Sequence, residues 1–152
     1  MKTSIVFTLA ALCQSAFALK EGTYTIGSAT LANDNVLKDV AADQPVEFGA
    51  KDGNPGETWF FTGSKVKKDT FTIASTFGGY INCGEAEGSV CIAGDNETQS
   101  YYVEKVANST YQLVAENSGY FLRVNDEKQV VIAGWDQTPN EDFILTEFQV
   151  RI

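Results

Sequence analysis

Tyr111-Gln-Leu113, Gly119-Tyr-Phe-Leu122, Val130-Val-Ile-Ala-Gly134 and Glu141-Asp-Phe143-Ile-Leu145 form a series of short apolar anchors that the chain has already used twice. One copy earlier stand Phe71-Thr-Ile73, Gly79-Tyr-Ile81, Val90-Cys-Ile-Ala-Gly94 and Gln99-Ser-Tyr101-Tyr-Val103. The first three anchors are displaced by 40 residues and the last by 42, which places a two-residue insertion after the Ala-Gly turn of the later copy. A looser copy comes first: Tyr24-Thr-Ile26, Asn35-Val-Leu37, Val46-Glu-Phe48-Gly49 and Glu57-Thr-Trp59-Phe-Phe61. Such a period marks repeat architecture. The anchors alternate polar and apolar residues, as in Thr23-Tyr-Thr-Ile26, which is the pattern of strands with one face on a core.

Between the anchors lie turn residues, most densely in Lys51-Asp-Gly-Asn-Pro-Gly56. Pro45 falls at a strand start, where its missing donor matters least. Three copies of four short strands, with no amphipathic helical pattern, predict an all-β closed antiparallel barrel of twelve strands. Closure removes the edges that separate four-stranded units would expose. Trp59, Tyr101 and Phe143 stand at the matching place of each copy and are expected in the core.

The chain has 152 residues, enough for one domain. Lys2, an apolar run from Ile5 to Cys13 and Ala16-Phe17-Ala18 follow the order of a secretory signal peptide, and the apolar run is too short to span a bilayer. Residues 1–18 are therefore expected to be removed, leaving 19–152 as a single secreted, extracellular domain. That domain carries 10 basic and 20 acidic side chains, a balance that disfavours nucleic acid and anionic membrane surfaces and favours a monomer. Cys83 and Cys91 flank the turn Gly84 to Gly88 and are expected to close a hairpin disulfide in an oxidising compartment, worth about 2 kcal/mol. Asn96-Glu-Thr98 and Asn108-Ser-Thr110 both satisfy the N-glycosylation spacing.

The sequence contains no histidine to act as a general base near neutral pH, and pairing of the two cysteines removes the thiol nucleophile. Gly78-Gly79 lacks a following Lys-Ser/Thr and a helix, so it is not a phosphate loop. The expectation is a non-catalytic binding protein with no metal and no cofactor. Lys65, Lys67 and Lys68 form the single dense basic segment, read either as a solvated connecting loop or as a contact surface. Trp135 stands in a polar loop, as a plug over the barrel or as an exposed contact.

Across residues 20–152 the chain resembles the β-trefoil proteins. Glu57-Thr-Trp59, Gln99-Ser-Tyr101 and Glu141-Asp-Phe143 are similar to the Gln-any-Trp signature of ricin B-type lectins, none of them intact. Glu21-Gly-Thr-Tyr24-Thr-Ile26 and Val131-Ile-Ala-Gly134 with Phe143-Ile-Leu145 resemble the fungal trefoil protease inhibitors, the mycocypin and cospin-like groups. The latter resemblance implies a protease inhibitor or other protein-binding trefoil, including a fungal effector, directed at a secreted or host protein. By likeness to Kunitz-type trefoils, Lys65, Lys67 and Lys68 are its candidates for a trypsin-like target; Asn33, Asn35, Gly78 and Gly79 are those for a cysteine protease. The alternative is a ricin B-like carbohydrate-binding lectin using Tyr80, Trp135 and Asn140. Where that family places a sugar-binding aspartate, this chain has Lys38, Asn82 and Arg123, which weakens bidentate recognition of sugar hydroxyls.

Overall fold

In the computed structural model, residues 19–96 and 99–149 are described. Each copy supplies four strands: β1 (Gly22–Ser28), β2 (Asn35–Lys38), β3 (Glu47–Ala50) and β4 (Trp59–Gly63); β5 (Thr70–Ser75), β6 (Tyr80–Asn82), β7 (Ile92–Gly94) and β8 (Tyr101–Ala107); β9 (Thr110–Ala115), β10 (Phe121–Val124), β11 (Val130–Ala133) and β12 (Phe143–Glu147). The first and fourth strands of the copies pair in the closed ring β1-β4-β5-β8-β9-β12-β1, antiparallel throughout. The remaining strands form hairpins β2-β3, β6-β7 and β10-β11. Bridges Pro45–Ile92, Glu47–Gln129 and Val90–Val131 tie the three hairpins to one another in a triangle. A six-stranded barrel with a cap of three hairpins is a β-trefoil.

Alternation along the strands sets the core. Tyr24 and Ile26 of β1 point inward, as do Trp59 and Phe61 of β4, Phe71 and Ile73 of β5, and Phe143 and Leu145 of β12. Trp59, Tyr101 and Phe143 are all buried, as the repeat predicts. The Trp59 indole Nε1–H donates to the Leu37 carbonyl at 2.9 Å, and the Tyr101 hydroxyl lies 2.8 Å from the Ile81 carbonyl. Each ring thus ties a barrel strand to its own hairpin. Phe148 N–H donates to Thr23 O, so the end of the chain meets the first strand as expected up to this residue. The signal-like segment and residues 150–152 lie outside the described residues.

Burial pushes the Tyr101 phenol well above its ordinary range, and burial also raises Tyr24 and Tyr111. A raised folded pKa makes stability fall once the pH passes about 10, where the unfolded phenols begin to ionise and the folded ones do not. The melting temperature should therefore drop steeply from pH 9 to pH 11. Tyr101→Phe should start lower and fall less over the same interval. An unchanged slope in that variant, read by circular dichroism melts, would place the alkaline loss elsewhere.

Cys83 and Cys91 form the expected disulfide, with an S–S distance of 2.00 Å, and both are buried at the root of the β6-β7 turn. The copies do not keep one spacing in space. Tyr80 pairs with Gly94 and Phe121 pairs with Ala133, so the counterpart of Tyr80 is Phe121 rather than Tyr120, which a constant spacing selects. One extra residue in the β9-β10 turn causes the shift.

Candidate functional site

The hairpin registers place Lys38 opposite Glu47, Asn82 opposite Ile92 and Arg123 opposite Val131, which makes Lys38, Asn82 and Arg123 equivalent. Each faces the loop that returns from the third strand of its copy to the barrel. In the first and third copies that loop carries the same pattern, Asp52-Gly-Asn-Pro-Gly-Glu57 and Asp136-Gln-Thr-Pro-Asn-Glu141. In both, proline opens a short 3₁₀ turn, Pro55–Glu57 or Pro139–Glu141, and the closing glutamate is buried. A left-handed residue, Gly53 or Gln137, precedes the cap and folds the backbone back over that carboxylate.

The Glu57 carboxylate accepts from the amides of Asp52, Gly53 and Asn54 at 2.6–3.2 Å. Glu141 accepts from Asp136 N–H at 3.3 Å and from Arg123 Nη2 at 3.4 Å, and is wholly buried. Lys38 Nζ lies 3.0 Å from Asp52 Oδ2, and Arg123 Nη2 lies 2.6 Å from Asp136 Oδ2. The Asn54 amide and then the Lys38 ammonium hold the Asp52 carboxyl below its ordinary range. The Thr138 hydroxyl and amide, followed by the Arg123 charge, do the same for Asp136. In two copies, then, a cation from the second strand bridges to an aspartate of the returning loop. Phe77 adds a cover in the first copy, its ring so close to Gly56 that an added Cβ would stand 2.9 Å from it.

The second copy lacks the cation, the proline and the buried glutamate of this device. Eight residue positions separate Gly49 from Glu57 and Ala133 from Glu141, but five separate Gly94 from Gln99. The shorter loop has no proline, Gln99 replaces the glutamate and Asn82 replaces the cation. Gln99 accepts from Cys83 N–H at 2.5 Å and donates to Gly84 O at 2.6 Å and Asn117 Oδ1 at 3.2 Å. The neutral amide thus satisfies the neighbouring backbone without a counter-ion. Beside it lies a cleft of about 370 Å³ between Asn82 and the turn at Gly94. Its walls come from all three copies: Asp43 from the first, Asn82, Asp95 and Asn96 from the second, and Asn117 from the third. Ile92 provides apolar surface, and Glu85 adds another carboxylate.

The structure distributes the sequence-derived candidates over several places. Tyr80 lies half-buried on β6 opposite Gly94, whereas Trp135 follows β11 and stacks on Phe121 at 6.4 Å between ring centroids. Trp135 is 58% exposed, so it does not plug the barrel. Asn140 sits half-buried in the second 3₁₀ turn. Lys65, Lys67 and Lys68 are exposed on the β4-β5 loop, and Lys67 is ion-paired with Glu116. Asn33 and Asn35 line a separate groove of about 260 Å³ that includes Lys51. At Gly78 a φ of 93° favours glycine, and at Gly79 an added Cβ would lie 2.8 Å from Asp39 Oδ2, so packing accounts for this pair. Asn96 and Asn108 are both exposed, the former at the cleft.

The residues that sequence reasoning missed are Asp52 as partner of Lys38, Asp136 and Glu141 as partners of Arg123, Glu57 as the buried acid of the first loop, and Asn117 and Asp43 as walls of the cleft. The first group had a visible signal. Asp-any-any-Pro-any-Glu occurs in the two copies with a cation on the second strand and is missing from the copy with Asn82.

No protein-family model matches this chain, and no curated protein matches it in sequence. Its fold is shared by many solved structures. The designed threefold-symmetric protein ThreeFoil superposes with a TM-score of 0.72 at 16% identity, covering 84% of this chain and 99% of that one. The Rhizoctonia solani agglutinin gives 0.73 at 15% identity, with coverage of 86% and 97%. The Macrolepiota procera ricin B-like lectin, solved with lactose, gives 0.69 at 13% identity, with coverage of 85% and 98%. At these identities the likeness establishes the β-trefoil fold alone.

Proposed function

We propose that this protein is a secreted, non-catalytic carbohydrate-binding trefoil that takes its ligand in the cleft of the second copy. The observation that carries this reading is the cleft itself, about 370 Å³ and walled by amides and carboxylates. Its volume falls in the range of small-molecule sites. Sugar hydroxyls donate and accept at once, and carboxylate acceptors together with amide groups of both kinds answer them. Asp95 supplies, from the loop wall, a carboxylate that Asn82 does not supply from the strand. The lectins among the structural neighbours support the same class of ligand, whereas no neighbour described above is a protease inhibitor. The signal-like start and the disulfide support secretion.

Binding to a panel of galactose-, N-acetylglucosamine- and mannose-terminated oligosaccharides tests the proposal, using protein with its disulfide formed and its sequons unoccupied. At least one oligosaccharide should bind, and Asp95→Ala should weaken it about tenfold or more, the scale of one lost charge-assisted hydrogen bond. A flat response across the panel removes the proposal.

A second reading, a protein-binding or inhibitory surface, rests on the β4-β5 loop. Val66 stands 95% exposed at its tip, while Ser64 Oγ accepts from the amides of Val66 and Lys67 at 3.1 Å and the Thr70 hydroxyl donates to Lys67 O at 2.8 Å. Such a preformed loop lowers the ordering cost of binding. Titration of trypsin-like and cysteine proteases decides it: inhibition lost on Lys65→Ala favours this surface, and unimpeded proteolysis by every enzyme tested excludes it.

A further inference from the structure

We infer that the three pseudo-equivalent clefts of this trefoil are not equivalent binding sites, and that the protein is monovalent, with the first and third clefts closed by the chain's own ion pairs. The inference rests on the carbohydrate-binding reading above and adds the number of sites to it. In the first copy the walls are joined by Lys38 and Asp52 at 3.0 Å, in the third by Arg123 and Asp136 at 2.6 Å. Each pair occupies the space between the second strand and the returning loop, where an arriving hydroxyl would have to find its donors and acceptors. A ligand there must displace a partner already held at short range, with Glu57 or Glu141 buried directly beneath. A neutral sugar brings no charge to replace the one it would separate; the loss is small at the exposed Lys38–Asp52 pair and larger at Arg123, whose charge also answers the buried Glu141.

The second copy has an uncharged floor instead. Asn82 Nδ2 donates to the Asn96 carbonyl at 3.1 Å and Gln99 is held by backbone groups, so the side chains at the two matching positions are neutral amides. The substitution pattern is concerted: the cation and the glutamate are both present in two copies, and neither stands at the matching positions, Asn82 and Gln99, of the copy that is open. Its loop is three residues shorter in sequence and lacks the proline that opens the 3₁₀ turn in the other two. A lectin with one site cannot bridge two glycan-bearing surfaces, and this arrangement gives a decoration or capture function rather than agglutination.

Calorimetric titration of the full chain, confirmed monomeric by gel filtration, with the tightest-binding oligosaccharide of the panel measures the stoichiometry. A parallel assay follows clumping of particles coated with a glycoprotein that bears the same terminal sugar. One ligand per chain, no clumping, and at least a tenfold loss of affinity in both Asn82→Ala and Asn117→Ala support the inference, with Trp135→Ala unchanged. Two variants are used because Asn117 is exposed and its loss leaves the hairpin intact if Asn82→Ala does not fold. Two or three ligands per chain, clumping by the monomer, or loss of binding in Trp135→Ala overturns the inference while leaving carbohydrate binding in place. No binding by any sugar of the panel overturns both.

Discussion

Arg123→Met is expected to destabilise the protein by about 3–5 kcal/mol, the scale of a buried ion pair broken from one side. Lys38→Met, at the equivalent position, should cost about 1 kcal/mol or less, the scale of an exposed pair. The contrast follows from how the two buried glutamates are held. Glu57 has three successive backbone amides around it and does not depend on Lys38, whose own partner Asp52 is largely exposed. Glu141 has one amide at 3.3 Å, so its buried charge depends on Arg123. Methionine keeps the apolar stem of either side chain and isolates the charge as the variable. In the Arg123→Met background, Glu141→Gln should recover most of the loss, because a neutral amide needs no guanidinium, as Gln99 is held by backbone groups in the second copy. Urea denaturation of the four members of this cycle gives the coupling energy directly. Equal costs at Arg123 and Lys38 would show that Glu141 is satisfied without the guanidinium.

Trp59→Ala is the second large effect, about 3–5 kcal/mol for loss of a fully buried indole. The ring fills the barrel beside Phe61, and its Nε1–H is the donor held 2.9 Å from the Leu37 carbonyl. Trp59→Phe separates the two contributions. It retains a ring, as Phe143 does in the third copy, but strands the Leu37 carbonyl, and should cost about 1–3 kcal/mol. Chemical denaturation followed by circular dichroism measures both without relying on tryptophan emission. A cost below about 1 kcal/mol for the alanine variant would mean that the barrel collapses around the missing ring, contrary to close packing of the three copies.

The fold was legible because its determinants are local and repeated. Alternation in each anchor, the recurring aromatic at Trp59, Tyr101 and Phe143, and turn residues between them require little knowledge of which strands pair. The two cysteines were legible for the same reason, lying across one short turn. The candidate site was only partly so. Lys38, Asn82 and Arg123 stand out as departures from a sugar-binding aspartate, but their meaning lies in partners 13 to 18 residues away in sequence. Those partners become apparent only once the hairpin registers are fixed. A constant spacing of 40 residues hides both the extra residue before Phe121 and the three missing before Gln99, because the β10-β11 turn is two residues shorter than the β6-β7 turn and partly offsets them. Asp43 and Asn117 come from neighbouring copies, so no motif within one copy could have included them. Trp135 drew attention as a large exposed ring, yet its surroundings are an ion pair and Phe121, not the open cleft.

Amide chemical-shift mapping of the full domain during titration with the panel's tightest oligosaccharide is the most direct test of the account. The prediction is a saturable set of shifts confined to Asn82, Gly84, Asp95, Asn96, Gln99 and Asn117, with Trp135, Asp52 and the Lys65–Lys68 loop unmoved. Shifts centred instead on Trp135 or on the lysine loop, or spread equally over all three copies, would contradict the account of a single open cleft.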